Sequence, residues 1–296
     1  MSTEIVAQAI ARVRDDLLAT YGWTHVDVEL ARIDDGAIVL RGTVAAPRAI
    51  ARLREAIAAA LPGVRVEADA ISILRTHEFV ALVEENTELW RRPDRGALAT
   101  ELAREDGPVE ALARERDATL VRAQDGTLGW THAPLGPRCE TPRLPAAHAL
   151  ATGELVVRAA AWIDAPYRLG GTRVAGVDCS GLVQRLLGAI GARVPRHSAD
   201  QLAIDPHAGA GQGDAGDLVA LWSSDEAPCH VGLALGDGNV VHASRSQSRV
   251  VIEPLDGWRT RARRIAHVPI ASIAELQARA AGKSGLGDVL PLGRDE

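Results

Sequence analysis

Cysteine is scarce in this chain of 296 residues: Cys139, Cys179 and Cys229 are the whole set. An odd and sparse set is no disulfide framework. Aromatic residues make up 3% of the chain, and its 33 Lys and Arg are spread instead of clustered. No stripe of basic and aromatic side chains is therefore available for nucleic acid. Runs of about eighteen apolar residues are absent as well, so no membrane-spanning helix is expected. Residues 1–20 contain Glu4, Arg12, Arg14, Asp15 and Asp16. That leaves neither an uninterrupted apolar stretch nor a small-residue cleavage site, so no signal peptide is expected and the chain reads as cytoplasmic. What is present is a globular balance, 47% hydrophobic and 24% charged, with a net charge of -6 that singles out no substrate. The length exceeds one small core and suggests two or three domains.

The first stretch reads as helix, strand, strand, helix, strand. Ile5, Ala9, Ile10, Val13 and Leu17 recur at helical spacing, and Val26, Val28 and Leu30 alternate as in a strand. Asp34-Asp35-Gly36 signals a turn before a second strand at residues 38–42. Pro47 is placed to begin a helix that Pro62-Gly63 stops, and residues 64–73 supply the last strand. With Leu40-Arg41-Gly42-Thr43-Val44 and Leu61-Pro62-Gly63-Val64, this order resembles a BON domain. The resemblance implies binding to phospholipid or envelope surfaces; a plain packing or oligomerisation unit is the other reading.

Between His77 and Ala133 the pattern changes to short strands with frequent breakers, as in small barrels. Val80-Ala81-Leu82-Val83, Glu88-Leu89-Trp90-Arg91-Arg92-Pro93 and Gly126-Thr127-Leu128-Gly129-Trp130 resemble a bacterial SH3-like domain. Trp130 is either a ligand platform, as the resemblance allows, or a core tryptophan. Pro134, Pro137, Pro142 and Pro145 then mark a stiff linker, in which Cys139 has no base nearby in sequence.

Cys179 opens a helix. After it Leu182, Val183, Leu186, Leu187 and Ile190 draw one apolar stripe, which Gly191 ends. Free backbone N–H groups and the positive end of the helix dipole lie at that first turn and favour a thiolate. With a histidine partner, such cysteines have a pKa lowered to roughly 3.5–7.5. By itself a lone cysteine is more often buried and inert, so its surroundings decide.

Those surroundings run in one order. Pro166-Tyr167-Arg168-Leu169-Gly170-Gly171-Thr172 precedes Asp178-Cys179-Ser180-Gly181-Leu182-Val183, followed by Pro195-Arg196-His197-Ser198 with Gln201. Gly216-Asp217-Leu218-Val219, His230-Val231-Gly232 and His242-Ala243 complete the series. Together they resemble the NlpC family of papain-like cysteine peptidases. One departure is Leu169, where the family commonly has an aromatic residue before the double glycine.

The resemblance implies a hydrolase that cleaves peptidoglycan stem peptides between γ-D-glutamate and the diamino acid. Cys179 would be the nucleophile, His230 the base and His242 the polar residue that orients it. Tyr167, Asp178, Ser180, Arg196 and Ser198 would line the substrate cleft. Asp178 would pair there with a free N-terminal ammonium, as suits free muropeptides in cell-wall recycling. A helix N-cap is the other role open to Asp178. Cys229-His230 is adjacent, unlike zinc spacing, and no C-x-x-C occurs, so no metal and no other cofactor is expected. A catalytically silent wall- or lipid-binding module and a papain-like amidase or acyltransferase are the rival functions. The order Cys, His, His favours the peptidase over permuted relatives, which place histidine first.

The expected fold class is α+β. A BON-like α+β domain would span residues 1–75, an SH3-like all-β barrel 77–133 and a Pro-rich linker 134–150. A papain-like peptidase domain would span 151–270, with a C-terminal helix and loose tail over 271–296. Cys229 should alternate to the face opposite His230 and be buried. The hairpin between the two histidines is a test: a two-residue turn at Asp237-Gly238 would send the imidazoles to opposite faces. An odd-numbered loop centred near Gly236, setting His230 opposite His242, is expected instead.

Overall fold

The computed structural model describes residues 2–34, 36–224 and 230–289. Helix α1 (Ser2–Tyr21) buries Val6, Ile10, Val13 and Leu17, one helical face. Strands β1 (Val26–Asp34) and β2 (Ala37–Val44) pair antiparallel. Helix α2 (Pro47–Ala60) begins on a proline, whose missing N–H is no loss in a first turn. It provides the crossover that lets β3 (Arg65–Ile73) pair parallel with β2. Ile50, Leu53 and Ile57 of α2 meet Ile38 and Leu40 in one core. The element order read from the sequence is thus the order found; Asp35 of the expected turn lies outside the described residues.

The next strands are β4 (Phe79–Leu82), β5 (Asn86–Arg92), β6 (Arg95–Ala103), β7 (Val109–Glu115), β8 (Ala118–Arg122), β9 (Leu128–Thr131) and β10 (Leu135–Arg138). They form a seven-stranded sheet in the order β10-β4-β7-β8-β9-β5-β6. Among the described residues its edges β10 and β6 do not pair, so no closed barrel forms. Register shifts in the β5–β6 and β7–β8 pairs bend the sheet instead. Trp130 is 1% exposed, and its Nε1–H donates to the Tyr21 carbonyl at 3.0 Å. It is a core and joint residue, and its burial removes the ligand-platform reading.

Two stretches expected to lie outside the packed domains, the stiff linker and the loose tail, are built into the fold. In the Pro-rich segment β10 pairs with β4, and Leu144 packs with Ala280 and Leu286. In the tail, a single 3₁₀ turn at Leu286–Asp288 buries Leu286, whose N–H donates to the Gln124 carbonyl at 2.7 Å. The composition marked chain breakers but carried no sign of these distant partners.

The last part contains α3 (Leu155–Ala160), the short strands β11 (Thr172–Arg173) and β12 (Gly176–Val177), α4 (Cys179–Ala189), α5 (Ser198–Leu202) and β13 (His207–Ala208). Strands β14 (Leu218–Trp222), β15 (His230–Ala234), β16 (Asn239–Ser244) and β17 (Arg249–Pro254) follow. Helix α6 (Leu255–Arg261), β18 (Arg264–Val268) and α7 (Ile270–Ala280) complete it. The six-stranded antiparallel sheet runs β13-β18-β14-β15-β16-β17. The α4 stripe of Leu182, Val183, Leu186 and Leu187 shares a core with Val231, Leu233, Val241 and Ala243. Among the described residues no helix is long and apolar enough to cross a membrane.

Buried charge fixes β6 beside the start of α4. Glu101, 2% exposed, accepts the Thr172 N–H at 3.1 Å and Arg168 Nη1 at 2.7 Å. Arg185 of α4 meets both oxygens of Asp106 at 2.6 and 2.8 Å.

Candidate active site

The chain reaches Cys179 through a close-packed approach. At Gly170, φ is +82°, and a Cβ would lie 2.8 Å from the Leu98 carbonyl oxygen. A Cβ on Gly181 would come within 2.4 Å of the Gly171 carbonyl oxygen. The glycines of both sequence blocks are there because two backbones touch. Asp178 caps α4, its Oδ1 accepting the Gly181 N–H at 2.8 Å, and Cys179 is the first helical residue.

Asp178 has further bonds. Its Oδ2 accepts the Gly170 N–H at 2.7 Å, and Arg196 grips both oxygens with Nη1 at 2.9 Å and Nη2 at 2.7 Å. Ser180 Oγ lies 3.3 Å from Oδ1 and accepts from Arg196 Nη1 at 2.9 Å. Asp178 is 5% exposed, Ser180 6% and Arg196 1%. These residues, expected on a cleft wall, form a buried cluster at the start of α4 beside Cys179. Asp178 thus takes the helix-cap role read for it in the sequence, with both oxygens accepting from protein donors. Ser198 opens α5 and lines a cavity of about 300 Å³ with Tyr21, His25 and Arg48. Tyr167 does stand beside the thiol. Burial, with Cys179 and Asp178 close by, pushes its hydroxyl up to about 12, so it stays a neutral donor.

The strand–loop–strand from His230 to His242 has an odd-numbered loop. Leu233 pairs with Val241 and Ala234 with Val240, and the Leu235 N–H bonds the Asn239 carbonyl, leaving a loop of residues 236–238. It is centred on Asp237, one residue beyond the expected Gly236. That shift moves each pairing by an even step, so both imidazoles keep one face but sit diagonally, not directly opposite. They meet there: His230 Nε2 lies 2.8 Å from His242 Nδ1.

Two residues missed in the sequence complete this face. Trp258 of α6, fully buried, lies over both rings, with centroids 5.4 Å from His230 and 4.9 Å from His242. Glu253 pairs with Val240, and His242 pairs with Val251, so Glu253 is the diagonal same-face neighbour of His242. Its Oε2 lies 3.4 Å from His242 Nε2, a buried atom with no aligned hydrogen bond. An acidic residue ending the apolar run Val250-Val251-Ile252 was the only sequence signal for Glu253. Cys229 lies outside the described residues, and with it the expected burial of its side chain.

The electrostatics differ from expectation. Burial, followed by the Asp178 charge, pushes the Cys179 thiol up to about 11. The backbone N–H groups of Val231 and Ser180 bond the sulfur and pull the other way, as does Arg196, but they are outweighed. Burial, then His242, lowers His230 to about 4. Burial also lowers His242 to about 4, with Glu253 opposing. At neutral pH the resting group is a thiol beside two uncharged imidazoles, not the thiolate that the helix end alone suggested. Among the described residues no hydrogen bond joins the sulfur to His230; its contact is the N–H of Val231, the next residue. Such contacts in a free enzyme often tighten only on substrate binding.

Residues 164–267 match the model of the NlpC/P60 family. Over 118 residues the chain is 36% identical to the "Probable endopeptidase Cgl2188" of Corynebacterium glutamicum, covering 40% of this chain and 55% of that protein. Over 184 residues it is 29% identical to the peptidoglycan endopeptidase RipB of Mycobacterium tuberculosis, covering 54% of this chain and 75% of that one. The chain thus spans little more than half of the Corynebacterium relative. Among solved structures, the NlpC/p60 domain of peptidoglycan hydrolase SagA superposes with a TM-score of 0.34 at 25% identity, covering 40% of this chain and 99% of that one.

Proposed function

We propose that the protein is a cysteine peptidase that hydrolyses the γ-D-glutamyl-diamino acid bond of peptidoglycan stem peptides. The observation that carries this reading is the sulfur of Cys179 set against the Val231 N–H, one residue from a His230 that is bonded to His242 at 2.8 Å. The named endopeptidases among the relatives support the substrate class.

In this scheme His230 Nδ1, the nitrogen not engaged by His242, takes the thiol proton as sulfur attacks the scissile carbonyl carbon. With a high thiol pKa and a low imidazole pKa, proton transfer has to accompany attack and not precede it. The N–H of Cys179 at the open helix end receives the developing oxyanion. His230 then protonates the leaving amine as the C–N bond breaks, giving a thioester. It afterwards takes a proton from the water that attacks the thioester and returns it to the sulfur, which leaves as thiol as the acyl group is released as a carboxylic acid. The Asp178–Arg196 scaffold holds the first turn of α4, and the neutral Tyr167 hydroxyl donates to the substrate beside the sulfur.

The test is incubation with L-Ala-γ-D-Glu-diaminopimelate and mass spectrometry of the products, with Cys179→Ala in parallel. Release of L-Ala-γ-D-Glu by the parent and not by the variant supports the assignment. A folded parent protein that releases none overturns it.

A further inference from the structure

We propose that Glu253 is a positioning residue that fixes the protons of the His230–His242 pair, so that His230 offers a bare Nδ1 to the thiol. The proposal rests on the peptidase reading above, in which His230 is the base.

A neutral imidazole carries one N–H, and the hydrogen bond between the rings has two possible directions. In one, His242 Nδ1–H donates to His230 Nε2. The proton of His230 then sits on Nδ1, and the nitrogen meant to receive the thiol proton is already filled. In the other, His230 Nε2–H donates to His242 Nδ1, which leaves His230 Nδ1 free. This second arrangement places the proton of His242 on Nε2, which needs an acceptor. Glu253 Oε2 faces that atom at 3.4 Å. The carboxylate therefore selects the direction in which the base works, and it stabilises positive charge on the pair once His230 has taken the proton.

The surroundings leave little to replace it. His242 is 4% exposed, and Trp258 covers the ring edge-on, so water is a poor substitute at Nε2. Glu253 is itself held: its Oε1 accepts from Gln247 Nε2 at 2.7 Å, and Arg261 pairs with Oε2. Arg261 is the main cause of a carboxyl held below the usual range, with His242 adding to it. The Arg261 side chain is 56% exposed, and a solvated pair of that kind contributes little to folding. A purely structural role is a weak reason for this carboxylate.

The test uses the full chain labelled with ¹⁵N-histidine and the variant Glu253→Ala. Ring-nitrogen NMR should show the Nε2–H form of both His230 and His242 in the parent, and a shift of His230 to the Nδ1–H form in the variant. The melting temperature should stay within about 2 °C. Hydrolysis should lose about 10–100-fold in kcat with KM within about twofold, a fraction of what a general base contributes. His242→Asn supplies a fixed acceptor without a tautomer, so in that background Glu253→Ala should cost nothing further. Unchanged tautomers in the variant, or an equal loss in both backgrounds, would overturn the proposal. Tautomers that shift as stated in a protein without peptidase activity would keep it and remove the functional reading instead.

Discussion

Arg196 holds Asp178 by two prongs, Nη1 to Oδ1 at 2.9 Å and Nη2 to Oδ2 at 2.7 Å, directly behind the residue that starts α4. Its Nε donates to Thr100 Oγ1 at 2.9 Å, so the same guanidinium ties β6 to the helix start. Removing one partner of a buried pair strands the other charge, at about 3–5 kcal/mol. Arg196→Ala should lower unfolding stability by that amount in urea titration. Arg196→Lys, a single ammonium in place of a planar fork, should rescue it only in part. Stability within about 0.5 kcal/mol of the parent for Arg196→Ala would show that the pair is not what orders this turn.

The thiol and imidazole shifts predict an unusual pH profile. His230 must be neutral to accept a proton, and with its pKa lowered to about 4 the acid limb of kcat/KM should fall near pH 4, not near 6.5. The thiolate is the species that iodoacetamide alkylates. With the thiol pushed up to about 11, labelling of Cys179 in the free enzyme should be slow at pH 7 and quicken about tenfold per pH unit. A fast, pH-independent rate between pH 6 and 8 would show a resting thiolate instead. Stability should follow the same groups. Imidazoles whose folded pKa lies below the unfolded one stabilise fully above the unfolded value and lose that contribution as pH falls through the folded one. The melting temperature should therefore drop between pH 6.5 and about 4, and less so in His242→Asn.

Trp258 shields the His230–His242 bond with a fully buried indole, and its ring comes within 3.0 Å of where a Gly232 Cβ would stand. Trp258→Ala should destabilise by about 3–5 kcal/mol through the cavity it leaves. Trp258→Phe keeps a ring there and should cost less in urea titration than the alanine variant. Its effect on kcat should exceed its effect on KM, because the indole lies against the two imidazole rings. A Phe variant with parental kcat would exclude shielding as a function of this residue.

Much of the site's chain order was legible in residues 166–243. The spacing of Leu182, Val183, Leu186 and Leu187 gave the helix and its buried face. The odd loop between the histidines followed from requiring one face for both rings, although its centre fell at Asp237. Asp178, Ser180 and Arg196 were read as lining a cleft near Cys179, and in the structure they bond to one another. Sequence proximity to a nucleophile does not say whether a polar group faces a cleft or a buried partner sixteen or eighteen residues away. The seven-stranded sheet was read as a barrel, since alternation reports strands but not whether the edge strands meet.

The sequence by itself determined the elements whose cause is local: an amphipathic α4 with cysteine at its first position, the crossover helix α2 between β2 and β3, and the glycine approach to the site. Tertiary structure alone decided what touches the sulfur and the two rings. Glu253 and Trp258 reach His242 through strand register and helix docking, which no short window of sequence encodes. Burial, which depends on the whole fold, outweighed the helix end and left a protonated thiol beside neutral imidazoles, because removing charge from water costs more than a few backbone N–H groups return.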